Sequence, residues 1–442
     1  MSRATTDLAQ HARQGSGWRS LTWPLGNTRR RSADPVGQPP SVAVADLRGR
    51  NAAVVLTTLR NAPEGMKVAP LADVTALSRP TIEVIVDDLK SVGLVVELPP
   101  TSSVGRPARR FAFNPGAAHV VGVDVRAHEV AASVVDLDGR VLARERKRVR
   151  RDLRGRARAA ATVEVVRVAL SRADVSVDTV AAAVVGTPGW VEDNARVRYV
   201  DNLRDWAETD IAGILAAELK CAVAVDNDAN LAAVGEHSQG VAHGVDDLIF
   251  ILLGERVGAG IIAGGRPLHG HHGAAGEIGF MVHPAGSRLA ARAIGEKGKS
   301  RPGLDPLDFS AAHLAQGAPG DLTAGREDLE SVGTRLAHAL APTLLALDPA
   351  MVVLGSNLFG AADNESARER VVSAAREEAR ALLVDPPEWR VSALGDDVVL
   401  AGAATFALSG VEAVLASEPL SLFPSWSSPS APATHPAASR TS

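Results

Sequence analysis

The sequence predicts an α/β fold preceded by a small helical domain, and two observations lead to this prediction. Apolar runs typical of buried strands alternate with helical patterns from about residue 116 to 416, as in proteins that cover a sheet with helices. Residues 43–115 instead contain helical periods followed by two short strands. The flanking stretches, 1–42 and 417–442, are rich in Gly, Pro and Ser and lack an apolar period. We therefore expect a disordered basic arm and a disordered tail on either side of the two domains.

The length and composition predict a soluble protein with more than one domain. Of 442 residues, 46% are hydrophobic but only 3% aromatic, so Ala, Val and Leu must build the core. We find no apolar run of about 18 residues and no signal peptide, and therefore expect a cytoplasmic protein without a membrane partner. The single cysteine, Cys221, excludes an internal disulfide and a thiolate metal cluster.

Charge is unevenly distributed along the chain. The net charge is -4, yet residues 1–42 carry six arginines against two aspartates. Residues 43–115 carry nine basic against seven acidic side chains, so the remainder has a net charge of -10. A basic N-terminal part on an acidic body indicates that only the N-terminal part binds an anionic polymer. A solvated surface with a chance distribution of charge is the alternative.

Residues 43–115 predict three helices and a two-stranded wing. In the third helix Ser78 is a suitable N-cap, and Pro80 fits the first turn, where its missing N–H costs little. Four apolar residues follow at the spacing of one buried stripe: Ile82, Ile85, Val86 and Leu89. Gly93 ends the helix, and the strands "LVVEL" and "RRFAFN" come next. This order is typical of a winged helix-turn-helix that binds double-stranded DNA; a small protein-interaction domain is the alternative.

The predicted DNA-binding residues lie in the third helix and in the wing. The start of the helix presents these residues toward the major groove: Ser78, Arg79, Pro80, Thr81, Glu83 and Val84. The wing loop, "SVGRPARRF", contains Gly105, Arg106 and Pro107, a narrow and rigid projection suited to a minor groove. Arg109 is placed for a phosphate contact.

Two stretches, "LSRPTIEVIVDDLKSVGLV" and "GRPARRFAFNPGAAHVVGVDV", resemble the N-terminal part of the ROK-family regulators. These proteins fuse a winged helix-turn-helix to a body related to bacterial glucokinases, and the resemblance covers roughly residues 43–416. It implies a two-lobed actin-like or RNase-H-like body, a homodimer or homotetramer, and control of sugar-utilisation genes. Glu83 and Val84 stand where many relatives carry small polar or basic residues, which affects the operator sequence rather than the mode of binding.

The resemblance also implies a sugar site built from three segments of the body. Asn202, in "VDNLRDW", matches the family asparagine that bonds a sugar hydroxyl. Asn227 and Asp228, in "VAVDNDANLAAVGE", match the pair that grips the sugar, and in the kinases this aspartate is also the general base. Glu277, in "LHGHHGAAGEIGF", matches the sugar-binding glutamate. Helix capping is the alternative role for Asp228.

The phosphate-binding features of the related kinases are altered. The hairpin "VGVDVRAHEVAASVVD" has other residues where those kinases carry two glycines and a threonine: Val125, Arg126, Ala127 and His128. The second phosphate loop, "ILLGERVGAG", places Glu255 and Arg256 where a small hydroxyl residue and a glycine belong. A carboxylate repels a triphosphate, and a long side chain blocks close approach of the backbone. We therefore expect that catalysis has been lost.

The zinc site of many relatives is also missing. The family histidine that contacts sugar and zinc is replaced by Phe280, and no group of three cysteines follows it. Several histidines cluster nearby in sequence, but their spacing fits no tetrahedral site: His269, His271, His272 and His283. We expect neither a metal nor another cofactor.

Together these patterns predict a non-enzymatic transcriptional regulator of carbohydrate metabolism, a repressor controlled by a sugar or sugar phosphate. Two alternatives stay open: an active or bifunctional ROK sugar kinase, and a regulator without a small-molecule effector. One basic run, "ARERKRVRRDLRGRAR", is expected to be a solvated strand end and loop. A second contact to the DNA backbone is the alternative for that run.

Overall fold

The computed structural model describes residues 44–99, 109–200, 202–253, 257–278, 329–356 and 364–422. They form two compact units: a head unit of residues 44–118 and 411–422, and a body unit of residues 119–410. The predicted fold class is confirmed. The basic arm lies outside the described residues, and so do seven residues singled out above: Gly105, Arg106, Pro107, Glu255, Arg256, Phe280 and His283.

The head unit contains a winged helix-turn-helix. Its elements are α1 (Val44–Arg60), β1 (Met66–Lys67), α2 (Val68–Thr75), α3 (Arg79–Ser91), β2 (Val95–Leu98) and β3 (Arg110–Phe113). In the three-stranded antiparallel sheet, β3 lies between β1 and β2. The apolar stripe predicted for the third helix is confirmed, because all four of its residues are buried on α3: Ile82, Ile85, Val86 and Leu89.

The first lobe of the body unit is built on a five-stranded sheet. Its elements are β4 (His119–Val125), β5 (Glu129–Asp136), β6 (Val141–Arg148), α4 (Gly155–Ala173), β7 (Val180–Thr187), β8 (Trp190–Glu192), β9 (Arg196–Tyr199), α5 (Ile211–Leu219) and β10 (Ala222–Asn227). The sheet has the order β10-β7-β4-β5-β6, in which β4 to β6 are antiparallel and β7 and β10 continue in parallel beside β4. Every residue of β4 and β7 is buried, which explains why their sequences are mostly apolar.

The second lobe repeats this arrangement. Its elements are α6 (Asp228–Gln239), β11 (Leu248–Leu253), β12 (Val257–Ala263), β13 (Arg266–Pro267), α7 (Leu329–Leu347), β14 (Met351–Ser356), α8 (Asn364–Leu382) and β15 (Glu388–Val391). The order β13-β12-β11-β14-β15 is again an antiparallel meander followed by two parallel strands. Two lobes with the same strand order form the actin-like body that the resemblance implied.

The last helix, α9 (Val398–Leu415), is strongly apolar. The segment Gly395–Leu415 has the length and composition of a membrane span, and no other helix among the described residues passes that test. However, 61% of its apolar window is buried inside the structure. Val399, Leu400 and Phe406 are at most 1% exposed, so we interpret α9 as a core helix.

The head unit also takes in the end of the described chain, from Val411 onward. Arg60 of α1 forms an ion pair with Glu412, and a 3-10 turn follows at Pro419–Ser421. Pro419 and Leu422 are buried. The prediction of a disordered tail from residue 417 is therefore wrong for residues 417–422. Composition marks this Pro- and Ser-rich stretch as disordered because it cannot reveal that two apolar side chains find a partner surface.

Candidate functional site

The start of α3, which we call the recognition helix, is held by two hydroxyl groups. The Ser78 hydroxyl accepts a hydrogen bond from the backbone N–H of Thr81 at 3.3 Å and lies 2.7 Å from the Thr81 hydroxyl. This is the N-cap that the sequence predicted. The remaining predicted groove-facing residues are exposed to solvent: Arg79, Pro80, Glu83 and Val84. The recognition helix therefore buries its apolar stripe and leaves the predicted DNA-binding face uncovered within the head unit.

Arg109, predicted to contact a phosphate, is part of an ion-pair cluster. Its Nε and Nη2 atoms each donate to the carboxylate of Glu97 at 3.0 Å, and Lys90 donates to the same carboxylate at 2.9 Å. The guanidinium lies 5.0 Å from the centroid of the Phe111 ring. Hydrogen bonds from Arg109 and then Lys90 lower the pKa of Glu97 to about 2. This cluster joins the end of the recognition helix to the base of the wing, a structural role that sequence reasoning missed.

In the body unit, Asn227 is the N-cap of α6. Its Oδ1 accepts from the backbone N–H groups of Ala229 and Asn230 at 2.8 and 3.2 Å. Its Nδ2 donates to the carbonyl oxygen of Gly189 at 3.0 Å. Both the oxygen and the nitrogen of the Asn227 side-chain amide are thus hydrogen-bonded within the body unit. Asn227 therefore has a structural role in addition to the sugar contact predicted for it.

Asp228, the first residue of α6, is partly buried and lies near the Asp124 carboxylate. Its Oδ1 is 2.9 Å from the backbone N–H of Ala229, so the capping alternative is part of its role. Burial, and then the nearby Asp124 carboxylate, raise the pKa of Asp228 from 3.8 to about 7. Near neutral pH this side chain can therefore either donate or accept a proton in a hydrogen bond with a ligand hydroxyl.

Arg126 occupies the β4–β5 turn, where the sequence lacks the expected glycines. Its Nε donates to Oδ2 of the fully buried Asp124 side chain at 2.6 Å, and its Nη2 donates to the carbonyl oxygen of Asp396 at 2.6 Å. Burial raises the pKa of Asp124, and the Arg126 charge opposes that rise. The internal guanidinium is therefore the counter-charge of Asp124 in this turn.

Sequence reasoning missed a buried histidine–aspartate pair, His269 with Asp226, next to Asn227 at the start of α6. His269 Nε2 lies 2.7 Å from Asp226 Oδ2, and both side chains are at most 7% exposed. Asp226 also accepts from the side-chain amides of Asn194 and Asn230 at 3.3 and 3.2 Å. Burial alone would lower the pKa of His269, but the Asp226 charge and the hydrogen bond to Asp226 together outweigh burial and raise the pKa. The sequence shows both residues, but no pattern links two positions that lie 43 residues apart.

The loop after β13 carries Glu277 and packs against the β8–β9 hairpin. Gly273 has φ +72°, and a Cβ there would lie 1.9 Å from the carbonyl oxygen of Val191. Gly189 has φ +100°, and a Cβ there would lie 2.1 Å from the carbonyl oxygen of Tyr199. Glycine is required at both positions. Since Asn227 bonds to Gly189 and His269 pairs with Asp226, this loop, the hairpin and the start of α6 lie side by side.

Asn202 lies in the segment before α5. Its Oδ1 is shielded from solvent and has no hydrogen-bond partner among the described residues. Trp206 fixes the same segment, because its fully buried ring donates from Nε1 to the Thr187 hydroxyl at 2.8 Å, at the end of β7. A shielded acceptor without a partner is a group that a ligand hydroxyl can satisfy.

Within the ranges that the structure describes, no group of three or more His, Cys, Asp or Glu side chains is arranged to hold a metal ion. His271 and His272 are exposed and contact each other edge to face, with ring centroids 4.3 Å apart. His269, the third described member of the histidine cluster, is engaged with Asp226. Of the three described histidines in this cluster, His269 is therefore buried against Asp226, whereas His271 and His272 contact each other at the surface.

Residues 120–409 match the sequence profile of the ROK family. Among curated relatives, a glucokinase from Halalkalibacterium halodurans is 29% identical over 248 residues, which cover 49% of this chain and 73% of that protein. A xylose repressor from Bacillus spizizenii is 24% identical over 232 residues, which cover 51% of this chain and 58% of that repressor. The matched stretch thus spans little more than half of the repressor's length.

Two solved structures share the fold. A ROK family transcriptional regulator, a homologue of the E. coli MLC protein, has a TM-score of 0.59 at 18% identity and covers 85% of this chain and 99% of its own. A ROK family glucokinase from Streptomyces griseus, in complex with glucose and AMPPNP, has a TM-score of 0.50 at 25% identity over 66% and 99% of the two chains. The likeness to the regulator covers more of this chain than residues 119–410, and therefore includes residues of the head unit.

Proposed function

We propose, on the premise that this chain belongs to the ROK family, that it is a sequence-specific DNA-binding repressor of carbohydrate-metabolism genes. In this proposal the body unit binds a sugar or sugar phosphate without chemical turnover. The observation that carries the proposal is a winged-helix head whose recognition helix leaves its predicted groove-facing residues exposed. Phosphoryl transfer to a sugar does not require such a DNA-binding head.

The ligand site proposed in the body combines Asn202, Asn227, Asp228 and Glu277. Asn202 contributes a shielded acceptor without a partner among the described residues. Asp228 changes between donor and acceptor near pH 7. A ligand releases the operator if it binds more tightly to the conformation that does not fit DNA, since only a difference in affinity shifts such an equilibrium. In a homodimer or homotetramer, that shift would separate two recognition helices from successive major grooves.

The alternative of a sugar kinase is favoured by the glucokinase relatives. Arg126 argues against it, because its side chain is bonded to Asp124 and to the Asp396 carbonyl at the turn where a phosphate-binding loop needs glycine. We expect no phosphoryl transfer when the full chain is incubated with Mg-ATP and a panel of hexoses. Hexose-dependent ADP formation would establish the kinase alternative.

The test of DNA binding begins with the full chain and sheared genomic DNA of the source organism. Bound fragments are recovered and sequenced, and affinity for the enriched sequence is measured by fluorescence anisotropy at two salt concentrations. Replacing Arg79, exposed on the recognition helix, with Ala should weaken operator binding about tenfold, the cost of one groove or phosphate contact. Arg50→Ala, an exposed arginine of α1, is the matched control and should change little.

Two outcomes would contradict parts of the proposal. If no sequence is enriched over bulk DNA, the chain is not a sequence-specific regulator. If calorimetry with sugars and sugar phosphates gives no binding heat, while operator binding is intact, the alternative of a regulator without a small-molecule effector is correct. A sugar that binds and weakens operator affinity, with both effects lost in Asp228→Asn, supports the proposed site.

A further inference from the structure

The recognition helix carries an acidic face, which is uncommon for a helix that enters DNA. Three of its residues are acidic: Glu83, Asp87 and Asp88. Phosphates line both edges of the major groove, so a carboxylate placed there weakens binding unless it meets a hydrogen-bond donor or a cation. Each of the three acids therefore needs a partner in a complex with DNA.

Two of the three acids have cationic partners within the head unit. Arg48 of α1 donates from Nε to Asp88 Oδ2 at 2.8 Å and from Nη2 to the same atom at 2.5 Å. Arg109 Nη2 lies 3.7 Å from Asp87 Oδ1. Glu83 is exposed and makes no hydrogen bond or ion pair with any described residue. Glu83 is thus the acid of this face that has no cationic partner among the described residues.

The major groove presents two donors on base edges, the N4 amino group of cytosine and the N6 amino group of adenine. A carboxylate accepts hydrogen bonds but donates none. In adenine the N7 acceptor lies beside N6 and repels a carboxylate, whereas cytosine presents its amino group without that neighbour. Cytosine is therefore the base whose major-groove edge best suits a carboxylate acceptor.

Val84 is the next residue along the recognition helix and is 56% exposed. Pro80 lies one turn earlier and is also exposed, so the two side chains form a short apolar strip on the outer face. Thymine is the base that offers an apolar group, its C5 methyl, in the major groove. Contact with that methyl would remove the exposed apolar surface of Val84 from water.

We infer that Glu83 reads a cytosine amino group and Val84 reads a thymine methyl at neighbouring base pairs of the operator half-site. This inference rests on the proposed function, because it applies only if the recognition helix enters the major groove. It assigns base specificity to the two positions where this chain departs from many ROK regulators.

The first experiment exchanges the acceptor at position 83. Glu83→Gln should weaken binding to the selected operator about tenfold and shift the preferred base at one position from cytosine to adenine, because an amide pairs with adenine N6 and N7. The preference is measured by repeating the selection with all four bases randomised at each position. Glu64→Gln, an exposed glutamate outside the recognition helix, is the matched control and should leave the preference unchanged.

The second experiment removes a single methyl group from the DNA. Replacing one thymine of the operator with deoxyuridine should weaken wild-type binding by about threefold to tenfold at the position that Val84 contacts. Val84→Ala should bind the thymine and deoxyuridine operators equally. Val74→Ala changes a valine of α2 that is 66% exposed, and this control should keep the wild-type sensitivity.

The outcomes separate this inference from the proposed function. If the wild type binds an operator, but Glu83→Gln keeps the cytosine preference and Val84→Ala keeps the deoxyuridine penalty, the base assignment is wrong and the regulator proposal stands. If the wild type enriches no sequence, both proposals fall. The substituted side chains are on the surface, so equal melting temperatures of wild type and variants confirm that the effects arise in binding.

Discussion

At the scale of single residues, Arg126 occupies a turn where a phosphate-binding loop would need glycine. A phosphate loop needs small residues so that backbone N–H groups approach the anion. Here a guanidinium fills the turn, neutralises the buried Asp124 side chain and reaches the Asp396 carbonyl. The same carboxylate raises the pKa of Asp228. The electrostatics of the proposed ligand site therefore depend on one arginine in the β4–β5 turn.

Replacing Arg126 with Ala would leave the buried Asp124 carboxylate without its counter-charge. We expect the free energy of unfolding to fall by about 3–5 kcal/mol, as for other buried ion pairs that lose one partner. Urea denaturation at pH 7 measures the loss. The double variant Asp124→Asn, Arg126→Ala removes the buried carboxylate as well as its counter-charge, and it should recover most of the lost free energy of unfolding. A double variant as unstable as Arg126→Ala would contradict this account.

The raised pKa of Asp228 gives a pH dependence with a definite sign. Between its ordinary pKa of 3.8 and about 7, the folded protein keeps a proton that the unfolded chain releases. Stability therefore decreases as pH rises through this range. Asp228→Asn cannot ionise, so its free energy of unfolding relative to wild type should increase between pH 4 and pH 8, by about 1–3 kcal/mol.

Thermal unfolding in the absence of ligand, at half-unit steps of pH, measures this difference. Glu208→Gln changes an exposed acid whose side chain forms no ion pair among the described residues, and it should show no such trend. A stability difference that shrinks as the pH rises would be inconsistent with a raised pKa at Asp228.

At the scale of elements, the basic run after β5 has a different role from the one predicted. It was expected to be solvated, yet Arg146 pairs with Glu129 and Asp397, and Lys147 pairs with Glu164. Arg158 is fully buried. The prediction of a solvated charge run is therefore wrong for the fully buried Arg158. Carboxylates on neighbouring elements, which the linear sequence does not reveal, pair with Arg146 and Lys147. A contact of the remaining arginines with DNA stays a prediction.

The Arg158 side chain holds the β4–β5 turn by donating hydrogen bonds to backbone carbonyl oxygens of the turn. Its Nη1 donates to the carbonyl oxygens of Arg126 and Ala127 at 2.6 and 3.1 Å. Arg158→Met keeps the length of the side chain but leaves those buried acceptors unpaired, and we expect the free energy of unfolding to fall by about 2–4 kcal/mol. Arg156→Met, at an exposed position of the same helix α4, should change it by less than about 0.5 kcal/mol. Equal effects of the two substitutions would contradict the role given to Arg158.

At the scale of the whole molecule, the head unit is assembled from both ends of the described chain. Residues 44–118 provide the winged helix, and residues 411–422 add Glu412, Pro419 and Leu422 to the same unit. The C-terminal segment is thus part of the proposed DNA-binding unit.

Leu422→Ala tests this assembly. The side chain is 5% exposed, and its truncation should lower the stability of the head unit by about 2–3 kcal/mol through lost burial and a small cavity. Hydrogen exchange of α1 amides measures the local stability, and ligand binding by the body unit should not change. The exposed neighbour Ser421, replaced by Ala, is the control. Unchanged exchange in Leu422→Ala would show that this segment does not stabilise the head unit.

Periodic patterns in the sequence were enough to predict the fold class, the N-cap Ser78 and the buried stripe of the recognition helix. Such features depend on residues three or four positions apart, so their physics is local. The alternation of buried strands with helices likewise predicted the α/β body, because a strand covered on both faces needs an unbroken apolar run.

Only the tertiary structure decided which distant residues pair. The pairs are Arg126 with Asp396, His269 with Asp226, Arg109 with Glu97, and Arg60 with Glu412. Each depends on which strands and helices become neighbours, and charge or polarity in a linear sequence does not specify a partner. The perturbed pKa of Asp228 belongs to the same class. Burial and charge proximity are properties of the folded chain, so the sequence by itself determined which chemical groups were present, and folding determined which of them act on one another.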